Sequence, residues 1–325
     1  MQVNELFRQS NTILLDGGMG TMLQAAGLKL GARPEELNIT DPALIEGIHG
    51  QYAAAGSRIV NANTFGASAH KLAGSAYTLE QVITAGIENC KRACAPYGAL
   101  TALDVGPLGE LLEPSGTLAF EDAVAEYARI VKAGEAAGAD LIFFETYTDL
   151  YELKAALLAA KENTHLPILA SMSFEAGGRT FTGCTVESFA ATARGLGADA
   201  VGINCSLGPK EIFPMAKRLA EAVPGNFPVF VKPNAGLPRA DGSGYDITPQ
   251  LFALQMKPYR ELHLFAAGGC CGTTPEFIKL LNGTFAGCTP GRPAHRMPSV
   301  LCTPVDTVTV DGITVVGERI NPTGK

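Results

Sequence analysis

Three cysteines draw attention because each follows an apolar run that has the composition of a buried strand. Cys205 ends the run AVGINC, and the adjacent pair Cys270 and Cys271 follows LHLFAAGG. The surrounding glycines of GGCCG would let the backbone turn sharply enough for both neighbours to bind one ion. Three thiolates that meet in this way suit zinc, which favours sulfur ligands and tetrahedral geometry. The sequence therefore predicts a zinc site made of Cys205, Cys270 and Cys271.

The number of ligands indicates what such a zinc would do. Structural zinc sites have four protein ligands, whereas three protein ligands leave a position open, as in catalytic sites. Three thiolates weaken the ability of zinc to acidify water, but they suit the binding of a substrate thiol as a nucleophilic thiolate. Alternatives are a zinc or thiol-binding module without turnover, with four protein ligands, and a metal-free barrel in which the cysteines only pack.

Eight continuous apolar runs alternate with stretches of helical spacing, which is typical of parallel strands covered on both faces. We predict a single α/β domain, a (β/α)₈ TIM barrel, and an open doubly wound sheet is the rival fold. The runs are residues 13–16, 58–63, 100–105, 141–146, 167–174, 200–205, 228–234 and 262–269.

Polar residues end all eight runs, and the working residues of TIM barrels lie at the C-terminal ends of strands. Asp16 and Glu145 are the candidates for holding a cationic group, because a carboxylate at the end of an apolar strand is costly unless paired. A hydrogen-bonded structural carboxylate remains the alternative for each. The segment DGGMGT after the first run supplies backbone N–H groups for a substrate carboxylate. The other strand-end polar residues are Asn61, Asn63, Thr64, Asp104, Ser171, Ser173, Asn204 and Asn234.

Composition limits the class of protein. The 325 residues are 46% hydrophobic and carry a net charge of −7, which disfavours nucleic acid or an anionic membrane as a partner. The N-terminus lacks the features of a signal peptide, and no apolar stretch is long enough to span a bilayer, so a cytoplasmic location is expected.

In such a location the eight cysteines should be reduced thiols, with Cys90 and Cys94 as packing residues. The five histidines form no metal-binding pair and are expected at the surface or satisfied in the core.

Four motifs resemble those of the homocysteine-binding methyltransferases, over about residues 10–285. The most specific are GINC at 202–205 and GGCCGTTPEFI at 268–278, in this order and spacing; ILLDGGMGT and KPNAG accompany them. The resemblance implies a (β/α)₈ barrel, zinc on the three cysteines, and homocysteine as the methyl acceptor that becomes methionine. It implies further that Asp16 and Glu145 receive the substrate amino group. It also matches Gly17 and Gly18 to the backbone that meets the substrate carboxylate, and Asn234 to an exchangeable fourth zinc ligand.

The C-terminal segment indicates the branch of the family. We predict a barrel over residues 1–283, then a linker and the truncated start of a following pterin-binding module over 284–325. The segment ITVVGERINPTGK resembles the opening strand of the pterin module in cobalamin-dependent methionine synthase. The resemblance implies methylcobalamin as the donor, bound by another module, since no segment here resembles a cobalamin-binding one. The alternative is a free-standing homocysteine S-methyltransferase that uses S-methylmethionine or betaine.

Overall fold

A computed structural model describes residues 6–7, 11–29, 31–239, 244–293, 297–310 and 312–313. Eight parallel strands pair in chain order, and β1 pairs with β8, so the sheet closes into a barrel. The predicted (β/α)₈ barrel is confirmed, and the open doubly wound sheet is wrong. The strands are β1 (Ile13–Leu15), β2 (Ser57–Asn61), β3 (Leu100–Val105), β4 (Leu141–Tyr147), β5 (Ile168–Met172), β6 (Ala200–Asn204), β7 (Val229–Lys232) and β8 (Ala266–Ala267).

Ten α-helices lie among the described residues, and most of them cover the outside of the barrel. Asp41 accepts a hydrogen bond from the Leu44 amide and so caps a helix that begins at Pro42. The helices are α1 (Met19–Ala25), α2 (Leu37–Thr40), α3 (Pro42–Ala54), α4 (Leu79–Cys94), α5 (Phe120–Ala136), α6 (Leu150–Asn163), α7 (Val186–Gly195), α8 (Pro209–Glu221), α9 (Pro249–Met256) and α10 (Pro275–Phe285). Three short 3₁₀ helices span Pro34–Glu36, Ala95–Tyr97 and Lys257–Leu262. None of the helices in the described ranges is long and apolar enough to cross a bilayer.

Two apolar layers hold the barrel together. One lies inside the sheet, where Phe143 of β4 and Phe230 of β7 meet with ring centroids 5.0 Å apart. The other lies between the sheet and the helices and includes Cys90 and Cys94, which are buried packing residues as expected. Because apolar side chains fill the barrel interior, the polar side chains that end the strands are left to form a site at its C-terminal mouth.

The C-terminal segment forms a small hairpin against the barrel. Strands β9 (Ser299–Cys302) and β10 (Thr307–Val310) pair with each other in antiparallel fashion. The Thr185 amide at the start of α7 donates to the Pro304 carbonyl at 3.1 Å, and Ser188 Oγ donates to the Asp306 carbonyl at 3.3 Å. Residues 314–325, which carry most of the pterin-module resemblance, lie outside the described residues.

Candidate functional site

The three cysteines predicted to bind metal come together at the mouth of the barrel. Their sulfur atoms all lie within 4.8 Å of one another, and the Sγ atoms of Cys205 and Cys271 are 3.8 Å apart. Cys270 is buried, whereas Cys205 and Cys271 are partly exposed. A disulfide needs a separation of about 2.05 Å, so these are three separate thiols facing one point.

Two unusual backbone conformations bring the thiols together. Cys205, directly after β6, has a φ of 63°, a left-handed conformation that is uncommon for any residue other than glycine. Gly272, directly after the cysteine pair, has a φ of 80°, which glycine adopts without strain. The end of β7 supports both segments, because the Cys205 amide donates to the Lys232 carbonyl at 3.0 Å and the Cys270 amide donates to the Pro233 carbonyl at 2.8 Å.

Asn204 connects the thiol cluster to the neighbouring strands. This fully buried side chain accepts hydrogen bonds from the Thr146 amide and from Ser171 Oγ, both at 2.9 Å. Its Nδ2 donates to Thr146 Oγ1 at 2.7 Å and lies 3.8 Å from Cys270 Sγ. The Asn204 side chain therefore holds Cys270 in position relative to the neighbouring strands. Its position at the end of a strand did not reveal this role.

The thiols differ in acidity because they donate hydrogen bonds to one another. Hydrogen bonds from Cys205 and Cys270 lower the pKa of Cys271 to about 3. The hydrogen bonds with Cys205 and Cys271, together with burial, raise the pKa of Cys270 well above its usual value. Cys271 is therefore the thiol that ionises first, and a nearby cation would be needed for all three to be thiolates.

The two predicted carboxylates, Asp16 and Glu145, face each other across one ammonium group. Lys232 Nζ lies 3.0 Å from Asp16 Oδ1 and 3.0 Å from Glu145 Oε2. The contact with Glu145 has the geometry of a hydrogen bond, whereas the contact with Asp16 is an ion pair. Asn61 adds two contacts: its amide donates to Asp16 Oδ2 at 2.8 Å, and its Nδ2 donates to Glu145 Oε2 at 3.3 Å.

Lys232 was missed in the sequence because it lies within an apolar run. Two signals were present: PVFVKPN has a lysine where a continuous buried strand should have none, and this lysine begins the KPNAG motif. Burial alone would lower the pKa of Lys232, but the negative charges of Asp16 and Glu145 raise it well above the usual value. Burial raises the pKa of Asp16, and the charge of Lys232 opposes that effect.

Asp104 is a third carboxyl group in the same place. It lies on β3, and its buried Oδ1 has no hydrogen-bond partner among the described residues. Burial and the neighbouring charge of Glu145 raise the pKa of Asp104 well above its usual value. A buried polar atom without a partner is costly, so it marks a position where a ligand group could be received.

The glycine segment after β1 packs closely against the loop after β8. The Gly18 amide is 3.2 Å from both the carbonyl and the hydroxyl oxygen of Thr273, and Tyr52 donates to the carbonyls of Gly18 and Thr273. A Cβ atom on Gly17 would come within 2.6 Å of Thr273 Oγ1, so only glycine fits there. The Gly18 amide is thus already engaged, and a substrate carboxylate would have to share it with Thr273.

Asn234 lies beside the cluster, where its Oδ1 accepts a hydrogen bond from the Cys271 amide at 3.1 Å. The side chain is buried. Asn234 is therefore a neighbour of the metal-site candidates, and its oxygen holds the cysteine pair in position.

One cavity of about 340 Å³ joins the thiols to the carboxylates. Asp16, Glu145 and Lys232 line it together with the three cysteines, and the ring of Tyr245 lies over Gly272. Two larger cavities, of about 420 and 510 Å³, lie against the C-terminal hairpin and near Phe7, and neither is lined by a comparable cluster of thiols or carboxylates.

The sequence that forms the barrel and its cavity matches a known protein family. Residues 13–285 match the homocysteine S-methyltransferase family. The chain belongs to that family. The match begins at β1 and ends with α10, so it covers the whole barrel and both halves of the cavity.

Two curated relatives of this family member are methionine synthases. Those of Mycobacterium tuberculosis and Mycobacterium leprae are each 32% identical to it over 95% of the chain. The chain spans only 28% of the length of either relative. Among solved structures, the homocysteine methyltransferase MmuM from Escherichia coli in its oxidised form has a TM-score of 0.75 with 23% identity, and covers 86% of this chain and 98% of that one. This similarity supports the barrel fold.

Proposed function

We propose that this domain activates homocysteine for methylation on sulfur, with zinc held by Cys205, Cys270 and Cys271. The observation that carries the proposal is the single cavity in which a three-thiol cluster faces a pair of carboxylates. Homocysteine has a thiol at one end and an ammonium group at the other. A site that holds both ends at once matches that molecule better than it matches a simple thiol.

The sulfur atoms fit the requirements of zinc. Zinc–sulfur bonds of about 2.3 Å in a tetrahedron place neighbouring sulfurs about 3.8 Å apart. The Cys205 and Cys271 sulfurs are separated by 3.8 Å. When bound, zinc supplies an open position at which a substrate thiol loses its proton and remains nucleophilic. The lowered pKa of Cys271 favours the first thiolate that such an ion needs.

The remaining residues would bind the amino-acid end of the substrate. Asp16 and Glu145 would receive the ammonium group, and the backbone of Gly17 and Gly18 would meet the carboxylate. Asn234 would occupy the open zinc position until the substrate thiol replaces it, which requires its Oδ1 to leave the Cys271 amide. These contacts would hold the substrate at both ends and direct its sulfur to the three cysteines.

For the methyl donor we propose methylcobalamin bound by a separate module. The similarity to two methionine synthases more than three times as long as the matched region supports this choice. Methylcobalamin bound by that module would supply the methyl group, and the homocysteine sulfur held in this cavity would accept it, with methionine and cob(I)alamin as the products. Residues 1–283 would then be the homocysteine barrel, and residues 284–325 would lead to a pterin-binding module.

A combined metal and donor assay tests this function. Purified protein should hold one zinc per chain and form methionine from homocysteine and free methylcobalamin. Cys205→Ser should lose both zinc and turnover, whereas Cys302→Ser, at an exposed cysteine on the hairpin, should keep both. Turnover with S-methylmethionine or betaine but not with methylcobalamin would overturn the proposed donor. Unchanged zinc content in Cys205→Ser would overturn the metal site.

A further inference from the structure

Lys232 is a buried cation that the proposed chemistry does not use. Its side chain is 3% exposed, and its Nζ lies 3.0 Å from one oxygen each of Asp16 and Glu145. It also lies 5.0 Å from the centre of the Phe143 ring, whose face favours a cation. Removing an ammonium group from water is costly, so its burial at the base of a substrate cavity requires compensation by specific partners.

The position of Lys232 controls the geometry of both carboxylates. Because each carboxylate oxygen is 3.0 Å from the same Nζ, the two oxygens cannot be separated by more than twice that distance. Two like charges that close repel each other strongly in a buried site. The ammonium group between them replaces that repulsion with two attractions and holds both side chains against the wall of the cavity.

The charges in this group leave room for one further cation. Three carboxyl groups, Asp16, Asp104 and Glu145, line the cavity together with a single ammonium group. Asn61 donates to the Oδ2 of Asp16, and Asn61 and Lys232 both donate to the Oε2 of Glu145. Asp16 Oδ1 has the ion pair with Lys232 but accepts no hydrogen bond among the described residues. Glu145 Oε1 takes part in none of these contacts, and Asp104 Oδ1 has no hydrogen-bond partner among the described side chains and backbone.

We propose that Lys232 is a positioning residue that makes this cavity selective for thiols bearing an ammonium group. The proposal rests on the function proposed above and adds a determinant of its substrate specificity. Lys232 holds Asp16 and Glu145 in a fixed arrangement, and the substrate ammonium group binds beside it, on Asp16 Oδ1 and Glu145 Oε1, neither of which accepts a hydrogen bond from Lys232. The substrate does not displace Lys232, because an ammonium group already held by two carboxylates is costly to leave buried without them.

Two thiols that differ only in the amino group test this role. Homocysteine and 4-mercaptobutanoate share the thiol, the carbon chain and the carboxylate. Lys232→Met keeps an unbranched side chain only one atom shorter and removes its charge. In zinc-loaded protein, we expect this change to weaken homocysteine binding at least about tenfold by calorimetry, while 4-mercaptobutanoate binding changes by less than about twofold. Lys71→Met, at a half-buried lysine that contacts the Pro107 carbonyl, should leave both affinities unchanged.

Chemical rescue separates positioning from a loss of folding. Lys232→Ala leaves space for the part of the side chain beyond Cβ, which propylammonium matches. Added propylammonium should restore homocysteine affinity to Lys232→Ala, and propanol of similar size should not. Restoration of affinity by propylammonium but not by propanol would show that the positive charge is required. If Lys232 only filled space, both compounds would restore binding equally.

The outcomes that overturn the proposal are distinct. Unchanged or tighter homocysteine binding in Lys232→Met would mean that Lys232 does not position the carboxylates or that it competes with the substrate. Equal weakening of the binding of homocysteine and of 4-mercaptobutanoate would indicate a general structural role for Lys232. That result would also overturn the proposal. If wild-type protein retains zinc but fails to bind homocysteine, the proposed function itself fails, whatever the variants do.

Discussion

At the scale of single residues, His49 has the most costly environment of the histidines that the structure describes. It lies on α3, is fully buried, and neither ring nitrogen has a hydrogen-bond partner among the described residues. Burial lowers the pKa of His49 to about 3, from an ordinary value of 6.5. The folded state therefore keeps this ring neutral under conditions in which the unfolded chain would protonate it.

This environment predicts a loss of stability in mild acid. The stabilising effect of the neutral ring is complete above pH 6.5 and declines as the pH falls from 6.5 towards 3, because only the unfolded state takes up the proton. At pH 5 the loss is about 2 kcal/mol. Denaturant unfolding at pH 7 and pH 5 should show this difference in the wild type and a smaller one in His49→Leu. The control His165→Leu, at an exposed histidine, should behave as the wild type. An equal pH dependence in His49→Leu would contradict the account.

The site residues differ in how far the sequence predicts them. The three cysteines could be predicted because each follows an apolar run, and the ends of parallel strands in a barrel share one mouth. Asp16 and Glu145 were predicted to need a partner, and they have one in Lys232. That pairing could not be predicted, because it joins β1, β4 and β7 through side-chain directions that sequence spacing does not specify. His49 was expected to be exposed or satisfied and is neither, since hydrogen-bond satisfaction depends on the whole environment.

At the scale of elements, the segments after β6 and β8 convert a regular barrel into a candidate metal site. The left-handed conformation of Cys205 and the positive φ of Gly272 turn the two segments towards each other. The glycine-rich run 175–183 lies next to the C-terminal hairpin, where Arg179 Nη1 donates to the Val305 carbonyl at 3.1 Å. Tyr245 takes the covering position over the cysteine pair, as its ring lies against Gly272.

Substitution of Gly272 should damage both the fold and the metal site. An alanine there would hold an unfavourable positive φ, and its Cβ would overlap the Tyr245 ring. We expect Gly272→Ala to lower the free energy of unfolding by about 2 kcal/mol or more and to reduce zinc retention. The matched control is Gly283→Ala within α10, where an added Cβ meets nothing within 4 Å. That change should stabilise the protein by roughly 0.5–1 kcal/mol, because alanine favours a helix more than glycine does. A Gly272→Ala protein with wild-type stability and zinc content would contradict this view of the turn.

At the scale of the whole molecule, the fold was more predictable than the division of the chain. Continuous apolar runs mark all eight strands, since both faces of a parallel barrel strand are buried. The end of the barrel is harder to place, because contacts continue past α10. The Thr12 amide donates to the Cys288 carbonyl at 2.8 Å, and the Arg292 amide donates to the Gly225 carbonyl at 2.8 Å. Linker residues of this kind are polar and irregular in sequence, so a pattern of apolar residues does not reveal that they pack against the barrel.

The closed barrel also brings together three candidate metal ligands from two distant parts of the chain. β6 and β8 are separated by β7 alone, so residue 205 and residues 270–271 meet on one side of the mouth. The carboxylates come from the end of β1, which pairs with β8, and from β4, which lies two strands from β6. Under the proposed function, a substrate thiol would be the fourth ligand of a zinc ion bound by the three cysteines.

X-ray absorption at the zinc edge tests this central claim most directly, since it counts the sulfur atoms bound to the metal. The zinc-loaded protein should show three sulfur ligands and one nitrogen or oxygen ligand. Addition of homocysteine should change this to four sulfur ligands, with a bond length of about 2.3 Å. Four sulfur ligands before homocysteine is added, or three sulfur ligands that remain unchanged afterwards, would contradict the proposal that this barrel binds and activates a substrate thiol.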